Sequence, residues 1–278
     1  MNLFPEIVRL SNHTLSHIHS FQGRSFLARC LNGRRGTEAE GSQVILDWNY
    51  NAWGGKYPPW DHDELTAGRI ATLLGISSIK PDLILEGGAI EGNGAGTILT
   101  TYSCLLNPNR NPEMTRERLE QTLAEWLQAD NIVWLPGHGI IGDDTDGHID
   151  QVARFVDERR VLLAAPYNND APEAAKLREN FDALAPACNS SGESLIPIPL
   201  VMPQPKFQEE HRLPACYCNY YFTNGAIIVP TFKDSANGVA MQLLQDYYPD
   251  RTVVGVSAID LAWGLGAFHC MTQQQPKA

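Results

Sequence analysis

The chain has 278 residues, 43% hydrophobic and 19% charged, the balance of an ordinary globular protein with a sizeable core. Its net charge of −11 argues against nucleic acid or an anionic membrane as partner and suits a small cation. Six cysteines without a CxxC pair, no apolar run of spanning length and no basic-then-apolar start argue against a metal finger, a membrane span and a secretory leader, so the cytoplasm is the expected compartment.

Residues 1–37 stand apart. From 7 to 37 there is no Asp or Glu, and five arginines against Glu6 give the segment +4 in an otherwise acidic chain. It shows neither a period of 2 nor one of 3.6, so it is expected to pack poorly beside a main domain over 38–278. From Gln43 the pattern becomes regular. Residues 44–48 read as a strand, and Trp53-Gly-Gly with Pro58-Pro59 predicts an irregular loop after it. Asp63 is the expected N-cap of a helix to Leu74, with Leu65, Ile70, Leu73 and Leu74 inward. A strand over 82–86 precedes a turn at 92–96 and its hairpin partner at 97–105.

Thr115 is the expected cap of a helix to Gln128 that faces inward with Leu119, Leu123 and Trp126, and 132–135 is a short buried strand. A second strand pair is predicted over 149–156 and 161–165, then a helix over 173–184 and a Ser/Pro/Asn-rich loop over 186–214. Residues 217–222 and 226–230 flank Asn224-Gly225 as a hairpin, followed by a helix over 235–247 and a strand over 252–256. Strand pair, helix and short strand thus recur at roughly 60 to 90 residues, which suggests repeated units around a central site.

Three stretches carry chemistry. Near the C-terminus, Trp263-Gly-Leu-Gly-Ala-Phe-His-Cys270 sets Cys270 where Gly264 and Gly266 let a ligand approach and His269 adds a polar group. Alone, it would read as a small buried thiol. In Gly142-Asp-Asp-Thr-Asp-Gly-His-Ile-Asp150, His148 and Asp150 are two apart and would share a strand face, as an acid/base group beside a carboxylate. Alone, that stretch would read as a solvated acidic turn, and it lacks the terminal Glu of an EF-hand loop. In Leu83-Ile-Leu-Glu-Gly-Gly88, Glu86 meets an open backbone, where a carboxylate can take a forked guanidinium.

These stretches, with Asn51-Ala-Trp-Gly-Gly-Lys-Tyr57 and Leu105-Leu-Asn-Pro-Asn-Arg-Asn-Pro112, resemble the agmatine deiminases and related Porphyromonas-type peptidylarginine deiminases of the pentein superfamily. The resemblance spans 47–276. It implies an α/β propeller of ββαβ modules around a central active site, with the N-terminal module incomplete. A Trp-x-x-Asp motif that the family carries ahead of Asn-Ala-Trp-Gly-Gly has no counterpart before Asp47.

The resemblance also implies hydrolysis of agmatine to N-carbamoylputrescine and ammonia in putrescine synthesis, through a cysteine thiouronium and without cofactor or metal. Cys270 would be the nucleophile and His148 the acid/base group, with Glu86 and Asp150 on the guanidinium. Asp144 would face the distal amine, and Trp53 and Gly266 would complete the substrate site. Asp47, Gly54 and Lys56 would support its mouth, and His138 receives no role. Two alternatives stay open: an impaired remnant lacking the N-terminal Asp, and a hydrolase acting on peptidylarginine. Assembly as a homo-oligomer is also left open.

Overall fold

The computed structural model describes residues 26–29 and 43–274. Along them an antiparallel strand pair, a helix and a parallel third strand recur four times. The first unit is β1 (Phe26–Arg29), β2 (Gln43–Leu46), α1 (Thr66–Leu74) and β3 (Ser77–Ile79). The second is β4 (Ile90–Gly92), β5 (Thr97–Thr101), α2 (Arg116–Leu127) and β6 (Asn131–Leu135). The third is β7 (Ala153–Phe155), β8 (Arg160–Ala165), α3 (Ala174–Leu184) and β9 (Ile196–Val201). A small hairpin, β10 (Phe207–Gln208) with β11 (His211–Arg212), leads to the fourth: β12 (Tyr221–Phe222), β13 (Ala226–Thr231), α4 (Ala236–Tyr247) and β14 (Thr252–Ser257).

This is the expected α/β architecture of ββαβ units. β1 lies within the segment set apart by its charge, and it pairs with β2 from Phe26↔Leu46 to Arg29↔Gln43. The rest of that segment, and the expectation that it packs poorly, lie outside the described residues. No helix among the described residues is long and apolar enough to cross a membrane.

Helices tie neighbouring units together. α3 packs on β6 and α4 on β9, while Leu119 and Leu123 of α2 share a core cluster with Leu46 and Ile79 of the first unit. Trp48 meets Trp126 edge-on at 6.4 Å in the same contact. Thr115 caps α2 as expected, its side chain accepting from Arg118 N–H.

The structure corrects four sequence expectations. α1 starts at Thr66, with Asp63 in a preceding helical turn, and it buries Ala67 and Ala71 beside Ile45. Leu65, Ile70 and Leu73 are exposed. Small side chains let the helix lie close on a sheet only three or four residues deep, and the larger ones are turned outward. Residues 82–86 form a single bridge, Asn49↔Ile84, and not a strand. Asn111 clamps Ile84 from both sides, its Oδ1 accepting from the amide at 3.0 Å and its Nδ2 donating to the carbonyl at 2.9 Å.

The region 186–214 is not mostly loop, because β9 runs through Pro197 and Pro199. β9 is an edge strand, where a missing N–H can face away from the ladder. Finally, the predicted strands at 149–156 and 217–222 open as the helical turns Ile149–Val152 and Tyr217–Asn219. A comparable turn, Gly87–Ala89, precedes β4. One such turn opens each of the second, third and fourth units, and the site is built from these turns.

Candidate active site

The loop 264–271 closes a cavity of about 320 Å³, lined among others by Trp53, Glu86, His148, Gly266 and Cys270. Residues from the turns that open the second and third units meet there, with the fourth unit's turn directly behind. His148 caps the Ile149–Val152 turn and Asp150 lies inside it, so the two side chains do not share a strand face. His148 lines the cavity, while Asp150 is fully buried beneath Cys270. Cys270 Sγ lies 3.1 Å from Asp150 Oδ2.

Asn219, from the fourth unit's turn, holds this pair together. Its Nδ2 donates to Cys270 Sγ at 3.0 Å and to Asp150 Oδ2 at 2.8 Å. Its Oδ1 accepts from the N–H groups of Ala267 at 2.9 Å and Cys270 at 3.1 Å. His269 Nδ1 lies 3.1 Å from the same carboxylate oxygen. Burial and then the nearby Arg154 charge lower His269 to about 3, so its ring is neutral. Burial first, and then Asp150, push the Cys270 thiol well above the usual cysteine value, against opposing bonds from Asn219 and the Ala267 N–H.

Two glycines are required by contact. A β-carbon on Gly88 would run into His148 Nδ1, and one on Gly266 would sit 2.7 Å from Cys270 Sγ. Glu86 is held from behind: the fully buried Arg110 donates its Nε to Glu86 Oε1 at 2.7 Å. The same guanidinium reaches Asp146 Oδ2 at 2.5 Å and the Thr145 carbonyl at 3.0 Å. Burial tends to raise the Asp146 carboxyl, but bonds from Lys56, Asn109 and Arg110 outweigh it and hold the group low. Glu86 Oε2 and His148 Nε2 are buried without a hydrogen-bond partner among the described residues.

Of the residues singled out in the sequence, Cys270, His148, Glu86, Trp53 and Gly266 all line the cavity. Asp144 does not. Its carboxylate faces Lys56 Nζ at 3.2 Å and takes the Tyr57 hydroxyl at 2.6 Å, a bond that pushes Tyr57 up to about 12. Tyr57 in turn meets Trp53 edge-on at 5.6 Å, so Asp144 connects to the cavity through aromatic rings. Asp47 lies outside the lining, and His138 borders a separate groove.

Sequence reading missed Asn219, Arg110 and the buried Glu91–Arg154 pair. The signal for Asn219 was its place: it precedes a unit's first strand, as Glu86 and His148 do. Arg110 lay in plain view within Leu-Asn-Pro-Asn-Arg-Asn-Pro. Its role needed the fold, because Glu86 is 24 residues away.

A cysteine gripped by a carboxylate and a carboxamide, facing Glu and His at the meeting point of ββαβ units, places the chain in the pentein class of folds. The Porphyromonas-type peptidyl-arginine deiminase family matches residues 25–276, and the chain belongs to it. A relative from Latilactobacillus sakei subsp. sakei (strain 23K), named "Putative agmatine deiminase", is 38% identical over 260 residues, covering 85% of this chain and 71% of the relative. Among solved structures, the "Putative Arginine Deiminase from Porphyromonas gingivalis" superposes with a TM-score of 0.82 at 36% identity, over 86% of this chain and 72% of that one. The agmatine deiminase of Enterococcus faecalis gives 0.80 at 32% identity, over 85% and 70%.

Proposed function

We propose that this chain is a hydrolase of guanidino C–N bonds that converts agmatine to N-carbamoylputrescine and ammonia, in the cytoplasm, on the way to putrescine. The observation that carries the reading is Cys270 Sγ held at 3.1 Å from Asp150 in a cavity shared with Glu86 and His148. The relatives named as agmatine deiminases support the choice of substrate.

The empty-handed oxygen of Glu86, with the Asp150 carboxylate beneath Cys270, favours a planar cation over a neutral ligand. A guanidinium above Cys270 stabilises the thiolate and so offsets the burial that keeps the thiol neutral. The thiolate adds to the guanidinium carbon, and His148 gives a proton to the departing ammonia, leaving an S-alkylthiouronium. His148 then takes a proton from water, which adds to the same carbon. Collapse expels the Cys270 thiolate and leaves the urea product. Asp150 supports both steps by fixing Asn219, His269 and the thiol in register.

Among the described residues Glu86 is the one carboxylate in the cavity lining. Losing one charged contact to a buried cation costs about 2–5 kcal/mol, or roughly 30- to several-thousand-fold, so Glu86→Gln should slow turnover on that scale. Ammonia release should be measured with agmatine and with a peptide ending in arginine. Equimolar ammonia and ureido product from agmatine in preference to the peptide supports the proposal. Preference for the peptide would assign the site to peptidylarginine, and release unaffected by Cys270→Ala would remove the mechanism.

A further inference from the structure

Cys104 has no part in this reaction, yet it lies at the base of the same site. It sits on the helical turn Tyr102–Leu105 and is fully buried. One ligand atom from each of Glu86, Cys104 and His148 falls within 4.8 Å of the other two. Glu86 and His148 are 3% and 4% exposed, and each keeps one polar atom without a hydrogen-bond partner among the described residues. Two unsatisfied buried groups beside a thiol are costly unless something binds them.

The donors are a carboxylate oxygen, an imidazole nitrogen and a sulfur. That set suits a borderline-soft divalent cation and disfavours Mg²⁺ or Ca²⁺, which prefer oxygen ligands. In tetrahedral zinc, with bonds of about 2.0–2.3 Å, ligand atoms stand roughly 3.3–3.8 Å apart, so a small inward movement completes the site. We propose that Glu86, Cys104 and His148 bind a thiophilic divalent cation such as Zn²⁺, with its fourth position toward the cavity, and that this cation excludes the guanidinium substrate. On binding, the Cys104 S–H proton passes to solvent as the sulfur–metal bond forms, and no electrons are transferred. The cation acts here as an inhibitor and the reaction itself uses none. Only the exclusion of substrate rests on the proposed reaction; metal binding stands by itself.

The test is titration of the whole chain with Co²⁺, whose bond to a thiolate gives a near-ultraviolet charge-transfer band. Saturable binding with that band is expected in the wild type. Cys104→Ser should abolish the band and weaken binding by at least about tenfold, since even outer partners of a metal ligand contribute 10- to 100-fold. Cys270→Ala should keep both band and affinity. Glu86→Gln, which preserves shape, should keep the band and weaken binding, and it decides the matter if Cys104→Ser does not fold. A band lost in Cys270→Ala, a band kept in folded Cys104→Ser, unchanged affinity in Glu86→Gln, or no saturable binding would each overturn the proposal. Agmatine that fails to raise the apparent Co²⁺ dissociation constant would remove the exclusion of substrate.

Discussion

Asn219 is the residue on which the geometry of Cys270 depends most. One carboxamide touches the sulfur, the carboxylate below it and two N–H groups of the loop that carries the sulfur. Its bond to the thiolate is charge-assisted, worth about 1.5–3 kcal/mol. Asn219→Ala should therefore slow alkylation of Cys270 at neutral pH by about 10- to 100-fold and displace its pH profile upward, while alkylation of the exposed Cys188 is unchanged. An unaltered profile would reduce Asn219 to a packing residue.

A second residue-scale prediction concerns the ligand's charge. Cys270 should react faster with a cationic haloacetamidine than with neutral iodoacetamide, because the cation stabilises the thiolate that burial disfavours. Equal rates with both reagents would mean that the cavity does not recognise a cation. The residues that line the cavity were legible in the sequence because Cys, His and Glu beside glycines is an uncommon juxtaposition. Asn219 was not, since an asparagine before a strand carries no chemistry until its partners are known.

At the scale of elements, the short turns that open the units matter more than the strands they precede. Cys216 Sγ donates to the Gln151 carbonyl at 2.8 Å and Cys218 Sγ lies 3.7 Å from that of Val152, stitching the fourth unit's turn to the third's. Behind them Arg154 on β7 faces Glu91 on β4 at 3.2 Å and donates to the carbonyls of Cys218 and Tyr220, both at 2.8 Å. Three units thus share one buried guanidinium. Burial raises the Glu91 carboxyl and Arg154 opposes it, so removing the cation leaves a buried acid unpaired.

Arg154→Met should cost about 3–5 kcal/mol in urea unfolding, and adding Glu91→Gln should recover part of the loss. Strictly additive losses would show that the pair is not coupled. Strands and helices were legible here because apolar periodicity survives in short elements. The inner face of α1 was misread because periodicity does not tell whether alanines or leucines meet the sheet. The opening turns were misread because three or four residues are too few to show any period.

For the molecule as a whole, acid should loosen the fold through His269. The folded ring titrates at about 3 and an unfolded one near 6.5, so between those values the unfolded chain binds the extra proton. The stability due to the neutral ring is fully present above about pH 6.5 and is lost as pH falls toward 3, by up to about 4–5 kcal/mol. His269→Gln should flatten the difference in urea midpoint between pH 7 and pH 4, and an undiminished difference would place the acid sensitivity elsewhere.

The repeat of ββαβ units was visible as recurrence, and Glu86 and His148 fell at equivalent junctions ahead of two units, with Cys270 on the loop that follows the fourth. How the helices of the third and fourth units cover the preceding unit's third strand was not visible, since it depends on contacts between residues far apart in sequence. The central claim is that Cys270 bonds covalently to the guanidinium carbon. Acid quench of the chain during agmatine turnover, followed by peptide mass spectrometry, tests it directly. The account predicts a mass increase of agmatine less ammonia on the peptide bearing Cys270. Agmatine consumed without such an adduct, at a rate that survives Cys270→Ala, would contradict it.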